Sequence, residues 1–284
     1  MKGLFLGLTT IDIQYIIDQF PAPDSKVNSP DAPDILVGGP ATNAAVTYSH
    51  LGGRAHLVSA FGQNVFNSFL QEDLRKFNIE HHDLAAHQEE KPVISSVVTA
   101  SENGARTIFT NHPTDYDISF DSQQLLEENQ FDFVLLDGFY LQKAIDIACE
   151  ARRRDIPVIL DGGSWKDGLE RLLPHVNYAI CSEKFMPPWC SSQSELFSYL
   201  SEKGIHHMAV TRGGKPILYK EGFDVVELPV PEVKPVDTLG AGDIFHGAFA
   251  YYLSRLHDFV SALEKAAEVA AHSCQFAGTR IWMQ

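Results

Sequence analysis

Asp237-Thr238-Leu239-Gly240-Ala241-Gly242-Asp243 decides how the rest of the chain is read. A Pro- and Val-rich approach, Val233 to Val236, leads into it. Behind it Ala241, Ile244, Phe245, Ala248, Phe249, Tyr252 and Leu253 recur at the spacing of one buried helical stripe. The pattern predicts a loop that becomes a helix at two glycines. Free N–H groups and the positive end of the helix dipole gather at such an N-terminus. With no side chain at Gly240 or Gly242, an anion can approach the backbone of Gly240, Ala241 and Gly242 closely. Asp243 falls in the first turn. A carboxylate beside an anion hole makes chemical sense when it accepts a proton, because phosphoryl transfer to an alcohol needs donors for the phosphoryl oxygens and a base for the hydroxyl. The structural alternative is an ordinary helix start with glycines for packing.

Composition narrows the classes. A chain of 284 residues, 44% hydrophobic and 21% charged, is ordinary for a globular protein. Its formal net charge of -15 disfavours nucleic acid or an anionic membrane as partner, since both demand basic patches. Cys149, Cys181, Cys190 and Cys274 form no C-x-x-C pair and read as reduced thiols of a cytoplasmic protein. No apolar run approaches membrane-spanning length, and the opening MKGLFLGL reads as a buried strand rather than a signal segment.

Going back to the start, strands are expected over Lys2–Leu8, Ala55–Phe61, Phe133–Leu136, Val158–Leu160, Tyr178–Cys181 and Met208–Val210, alternating with helices opened at Gly38-Gly39 and over 66–77, 141–153 and 259–272. Such alternation predicts an α/β fold, a three-layer α/β/α sandwich around a mostly parallel sheet. Residues 91–112 break the pattern: Val93–Thr99 and Arg106–Thr110 read as a hairpin joined through 101–105, which suggests a small second layer. Residues 18–34 are rich in Pro and Asp and poor in core formers. His81, His82 and His87 match no metal-ligand spacing and read as exposed loop residues. Acids at strand ends, Asp12, Asp137 and Asp161, lie on the edge where open α/β sheets collect ligands. Asn43 offers both a donor and acceptors behind the Gly38-Gly39 turn. A nicotinamide-binding reading fails for lack of G-x-G-x-x-G after the first strand, and Gly214-Lys215-Pro216 is no P-loop.

The string 237–243 resembles the C-terminal signature of the ribokinase-like, or PfkB, carbohydrate kinases, and Gly38-Gly39-Pro40-Ala41-Thr42-Asn43-Ala44-Ala45 is similar to their sugar-binding signature. Order and separation agree, and the likeness covers essentially the whole chain as one domain, 1–284, with a β-sheet lid built from about 11–36 and 91–112. Within the family, Asn103-Gly104-Ala105-Arg106-Thr107-Ile108 resembles the lid hairpin of ketohexokinases. The resemblance implies ATP and Mg²⁺, a small sugar as acceptor with a ketose such as fructose the first choice, and Asp243 as catalytic base. It implies Asp12, Gly38, Gly39, Asn43, Arg106 and Asp137 around the sugar, and Thr211, Gly213, Ala271, Cys274 and Gly278 around the nucleotide. Ribose, other sugars, sugar phosphates and nucleosides stay open as acceptors, as does a non-catalytic sensor that keeps the fold. Where the family shows Asn-x-x-Glu, this chain has Ser182 and Phe185; Glu183 stands nearby as an indirect magnesium contact. Lid-to-lid packing into a homodimer is expected, since hairpin edges need cover. His246, three residues after Asp243, has two readings: an imidazole bonded to a backbone carbonyl, or a contact to substrate or to Asp243.

Overall fold

The computed structural model describes residues 1–89, 91–102, 106–111, 120–222 and 224–284. Among these, nine strands form one sheet: β1 (Lys2–Leu6), β4 (Arg54–Ser59), β5 (Glu80–Asp83), β8 (Phe133–Leu136), β9 (Val158–Gly162), β10 (Tyr178–Ser182), β11 (His207–Arg212), β12 (Lys215–Glu221) and β13 (Asp224–Leu228). Their order is β13-β12-β11-β10-β9-β8-β1-β4-β5, parallel from β11 through β5 and antiparallel at the β11-β12-β13 edge. Side chains alternate between faces. Leu4, Leu6, Val134 and Leu136 pack on one side with α3 (Ser122–Glu128), α4 (Leu141–Arg153) and α5 (Gln193–Glu202). Phe5, Leu135 and Ile159 pack on the other with α1 (Pro40–His50), α2 (Asn67–Lys76), α6 (Ala241–Leu256) and α7 (Phe259–Ser273). Both faces are thus covered, which is the three-layer sandwich read from the alternation.

A second sheet runs β3-β2-β6-β7, built from β2 (Thr10–Ile17), β3 (Asp34–Gly38), β6 (Ile94–Ala100) and β7 (Arg106–Thr110). The antiparallel β6–β7 pair is the expected hairpin, although its turn, 103–105, and residue 112 lie outside the described residues. Register puts Asp12 and Gln14 on one face with Val97 and Ile108; that face looks toward the end of the large sheet, because Gln14 Nε2 donates to Asp237 at 2.8 Å. The histidine reading changes: His81 and His82 lie on β5, an exposed edge strand, and His87 in the turn behind it. No metal-binding cluster of three acids, histidines or cysteines occurs among the described residues.

Helix α6 departs from a single apolar stripe. Every residue from Ile244 to Tyr251 is buried, His246 and Gly247 included, because the helix is enclosed by α1, α7 and the sheet. Gly247 is what permits the α1 contact: a Cβ there would run into the Ala44 carbonyl oxygen and crowd Thr47. Tyr48 on the same helix packs edge-on against Phe133 and Tyr251, with centroids 5.1 and 5.9 Å away. We predict that Gly247→Ala lowers stability by about 1–3 kcal/mol through overpacking, against the roughly 1 kcal/mol that Ala gains over Gly in a free helix. Urea unfolding decides between the two signs.

Candidate active site

Two helix N-termini meet at the C-terminal edge of the large sheet. Helix α1 starts after Gly39, whose φ of 98° suits glycine and whose missing side chain makes room for the Leu8 carbonyl. Helix α6 starts after Gly240, in the left-handed region at φ 67° and resting on the Thr279 methyl group. The N–H groups of Gly240, Gly242 and Asp243 have no partner among the described residues; Ala241, expected as a third anion donor, already gives its N–H to the Thr238 carbonyl at a long 3.3 Å. Asn43, on α1, donates from Nδ2 to Asp243 Oδ2 at 2.8 Å, across 200 residues of sequence. The Asp243 carboxyl is pushed up to about 7, first by burial and then by the charge of Asp161; the Asn43 hydrogen bond and the His246 ring oppose this, and Asp12 adds to it.

The strand-end acids take different parts. Asp12, on β2, is buried, accepts from Thr10 Oγ1 at 2.6 Å and sits against the Cα of Gly38; burial raises its pKa. Asp137, expected to meet substrate, instead uses both oxygens on backbone donors: Leu8 N at 2.8 Å, Ala41 N at 3.2 Å and Phe139 N at 3.0 Å. Burial lifts it to about 6 against the pull of Lys166 and of those N–H groups. It anchors the α1 N-terminus to the sheet. Asp161 is buried 3.3 Å from His246 Nδ1, and burial raises its pKa too. The His246 ring meets carbonyls at both nitrogens, Gly242 O at 2.7 Å and Ile180 O at 3.1 Å. That is the backbone-bonded reading, and it ties the first turn of α6 to β10.

A cleft of about 770 Å³ opens beside these N-termini, a size that suits a nucleotide. Thr211, Gly213, Ala271 and Cys274, the residues expected around the nucleotide, line it together with Ala241 and Gly242. Gly278 does not: its N–H donates to Asp237 Oδ2 at 2.9 Å and its Cα faces Leu36, beneath the small sheet. Arg106, expected at the substrate or the phosphoryl group, lies on this cleft. Glu183 reaches the cleft with Lys215 Nζ 3.7 Å away. Phe185, where a family glutamate would stand, is fully buried against Trp165, so that position is core. Ser182 caps its own turn, accepting from Lys184 N at 3.1 Å and donating to Gly163 O at 2.6 Å.

Three cations escaped the sequence reading. Lys184 lines the cleft. Lys166 donates to the Asp137 carbonyl at 3.1 Å and lies 4.3 Å over the Phe139 ring. Arg280 donates from Nη1 to Asn43 Oδ1 at 2.8 Å. Lys184 follows directly on Glu183 and was legible as a charge near a strand end; nothing local marks the other two.

The chain matches the pfkB family carbohydrate kinases over residues 3–284, and it belongs to that family. It is thereby an ATP-dependent phosphotransferase. It is 24% identical over 244 residues to the ribokinase of Bacillus subtilis, covering 84% of this chain and 82% of that one. It is 22% identical over 291 residues to the ketohexokinase of Mus musculus, covering 97% and 96%. The ribokinase of Arabidopsis thaliana, solved with ribose and ATP, superposes with a TM-score of 0.78 at 20% identity over 98% of this chain and 93% of that one.

Asp137→Ala is expected to lose at least about 2 kcal/mol, since the two buried N–H groups of Leu8 and Ala41 would lose their acceptor at about 1–3 kcal/mol each. Chemical denaturation measures this. A substrate ligand would behave differently: stability would hold and the KM for sugar would rise.

Proposed function

We propose that the protein transfers the γ-phosphoryl group of ATP to a hydroxyl of a small sugar, with a ketose such as fructose as first candidate and ribose, other sugars, sugar phosphates or nucleosides as alternatives. One observation carries the reading: the Asp243 carboxylate stands in the first turn of α6, hydrogen-bonded to Asn43, while Ala241 and Gly242 of the same turn line the cleft. A sugar held by Asp12, Gly38, Gly39 and Asn43 then presents its hydroxyl to Asp243 and to the phosphoryl group together. As the new oxygen–phosphorus bond forms and the bond to the β-phosphate oxygen breaks, the hydroxyl proton passes to Asp243. The N–H groups of Gly240 and Gly242, with Ala241 once its long bond yields, stabilise the charge on the moving group. Arg106 and Lys184 meet the phosphates, and Thr211, Gly213, Ala271 and Cys274 bound the nucleotide; Gly278 supports Asp237 from outside the cleft.

A protein cage for Mg²⁺ does not fit, as no cluster of three metal-ligating side chains occurs among the described residues. An ion carried on the ATP phosphates does fit, with Glu183 as the cleft carboxylate that would hold its waters. There Mg²⁺ would neutralise phosphate charge. Four free thiols suit a reducing cytoplasm.

The small sheet closes over the site on one face. On the other, Ile13, Tyr15, Ile35, Val98 and Phe109 share a side by register, with Ile35 47% and Phe109 64% exposed. A second copy of this sheet would cover it, giving a homodimer. Light scattering at micromolar concentration should report twice the mass of one chain, and Phe109→Glu should return it to one.

A coupled assay over a panel of sugars tests the activity. Substrate binding without ATP turnover for any sugar would favour the sensor reading, which the burial of Phe185 in place of a glutamate keeps in view. Asp243→Ala should fold and bind ATP while losing roughly two to four orders of magnitude in turnover. Burial pushes the unliganded carboxyl up to about 7 and only its ionised form can accept the hydroxyl proton, so kcat/KM should fall as pH drops through about 7 and stay level above it.

A further inference from the structure

We infer that Arg280 is a positioning residue, one that fixes the Asn43 amide so that its NH₂ group and not its oxygen faces the Asp243 carboxylate. A guanidinium carries five N–H donors and no acceptor. Its Nη1 lies 2.8 Å from Asn43 Oδ1, so that atom must be the amide oxygen. The other end of the amide then points an N–H at Asp243 Oδ2, 2.8 Å away, where an ionised carboxylate can only accept. A reversed amide would set N–H against N–H at Arg280 and oxygen against oxygen at Asp243. Two contacts on one planar group thus select a single orientation, and the charge behind the oxygen makes the N–H a stronger donor.

Arg280 is itself held rigidly. Nη2 donates to the Val37 carbonyl at 3.1 Å and to Asp73 Oδ2 at 3.3 Å, and Nη1 to Thr279 Oγ1 at 3.0 Å. The guanidinium lies 5.6 Å over the Phe77 ring, and the side chain is 11% exposed. Trp282 Nε1 donates to the Thr279 carbonyl at 3.1 Å and holds the segment in place. The C-terminal segment so connects β3, α1 and α2 behind the site.

Groups from every neighbouring element act on Asp243: Asp161 from β9 and Asp12 from β2 favour its protonated form, His246 from α6 and Asn43 from α1 its ionised form, and Arg280 adds its charge from the C-terminal segment. Among the described residues Asn43 is the one side chain that hydrogen-bonds the carboxylate. Losing its orientation leaves Asp243 facing two acids without a donor.

This rests on Asp243 being the base, so the test has one readout that needs no turnover. Arg280→Met, Asn43→Ala and the double variant are titrated by ¹³C NMR of labelled aspartate, with Asp243 assigned from Asp243→Asn, and the acid limb of kcat/KM is followed in parallel. Arg280→Met should raise the Asp243 midpoint and the acid limb together, by roughly one pH unit. On the Asn43→Ala background the same change should raise the midpoint markedly less, by the direct charge of Arg280 alone, because the part carried through the amide is already gone. An unmoved midpoint, or an equal shift in both backgrounds, overturns the inference. If Arg280→Met does not fold, Arg280→Lys, which keeps the charge but not the fork, is read by the same criterion with a smaller expected shift. A panel in which no sugar is phosphorylated would end the sugar-acceptor reading, while the NMR cycle would still judge Arg280.

Discussion

Everything at the site depends on how closely α1 and α6 approach. Gly247 lets the backbone of α6 come against Ala44, and no larger residue would fit there. That contact sets Asn43 and Asp243 at 2.8 Å and aims two helix N-termini at one point. Partial positive charge from both dipoles therefore converges where an anionic phosphoryl group would move. Tyr48 and the aromatic rings below it seat the pair on the sheet, and Asp137 holds the start of α1 by three backbone N–H groups. The geometry of the proposed site is a by-product of packing that happens one or two turns deeper in the core.

The chain is strongly acidic, yet its anionic substrate is ATP. Local arrangement resolves this. Acids gather at the strand ends and in the first turn of α6, in different settings: Asp137 bonds backbone donors, Asp12 bonds Thr10, Asp243 bonds Asn43, and Asp161 lies 3.3 Å from the His246 ring. Burial raises the pKa of all four, so each takes up a proton more readily than an exposed carboxylate would. The cations Arg106 and Lys184 stand on the cleft side, apart from the acids. Net charge governs long-range encounter with polyanions; the placement of a few side chains governs what happens inside the cleft.

The two sheets are joined by polar contacts as well as by chain. Gln14 on β2 reaches Asp237, which also accepts from Gly278 N and from Leu239 N at 2.9 Å each. One carboxylate therefore links the small sheet, the loop before α6 and the C-terminal segment. Arg280 makes a second such link through Val37 at the end of β3. The small sheet is thus tied to the turn that opens α6 and to the C-terminal segment through these two side chains.

Much was legible before any fold was known. The glycines and Asp243 announced the start of α6, the βα alternation announced the covered sheet, and Arg106–Thr110 was found to the residue. These features are local: turn chemistry and periodicity are properties of a few neighbouring residues. Strands β2 and β3 were harder, because Asp12, Gln14 and Asp34 interrupt their apolar pattern to face the site or water. β5 was hidden by its histidines, and α3 and α5 by short polar sequences. Asp137 and Gly278 were placed in the right region with the wrong neighbours, since a strand-end acid or a left-handed glycine serves a ligand or the scaffold with equal local propriety. What the sequence by itself determined was most of the large sheet's elements and the start of α6 at the 237–243 turn. What only the tertiary structure decided was which partners close the site: Arg280 meets Asn43 across 237 residues, and no local preference encodes a contact that exists only once the chain has packed.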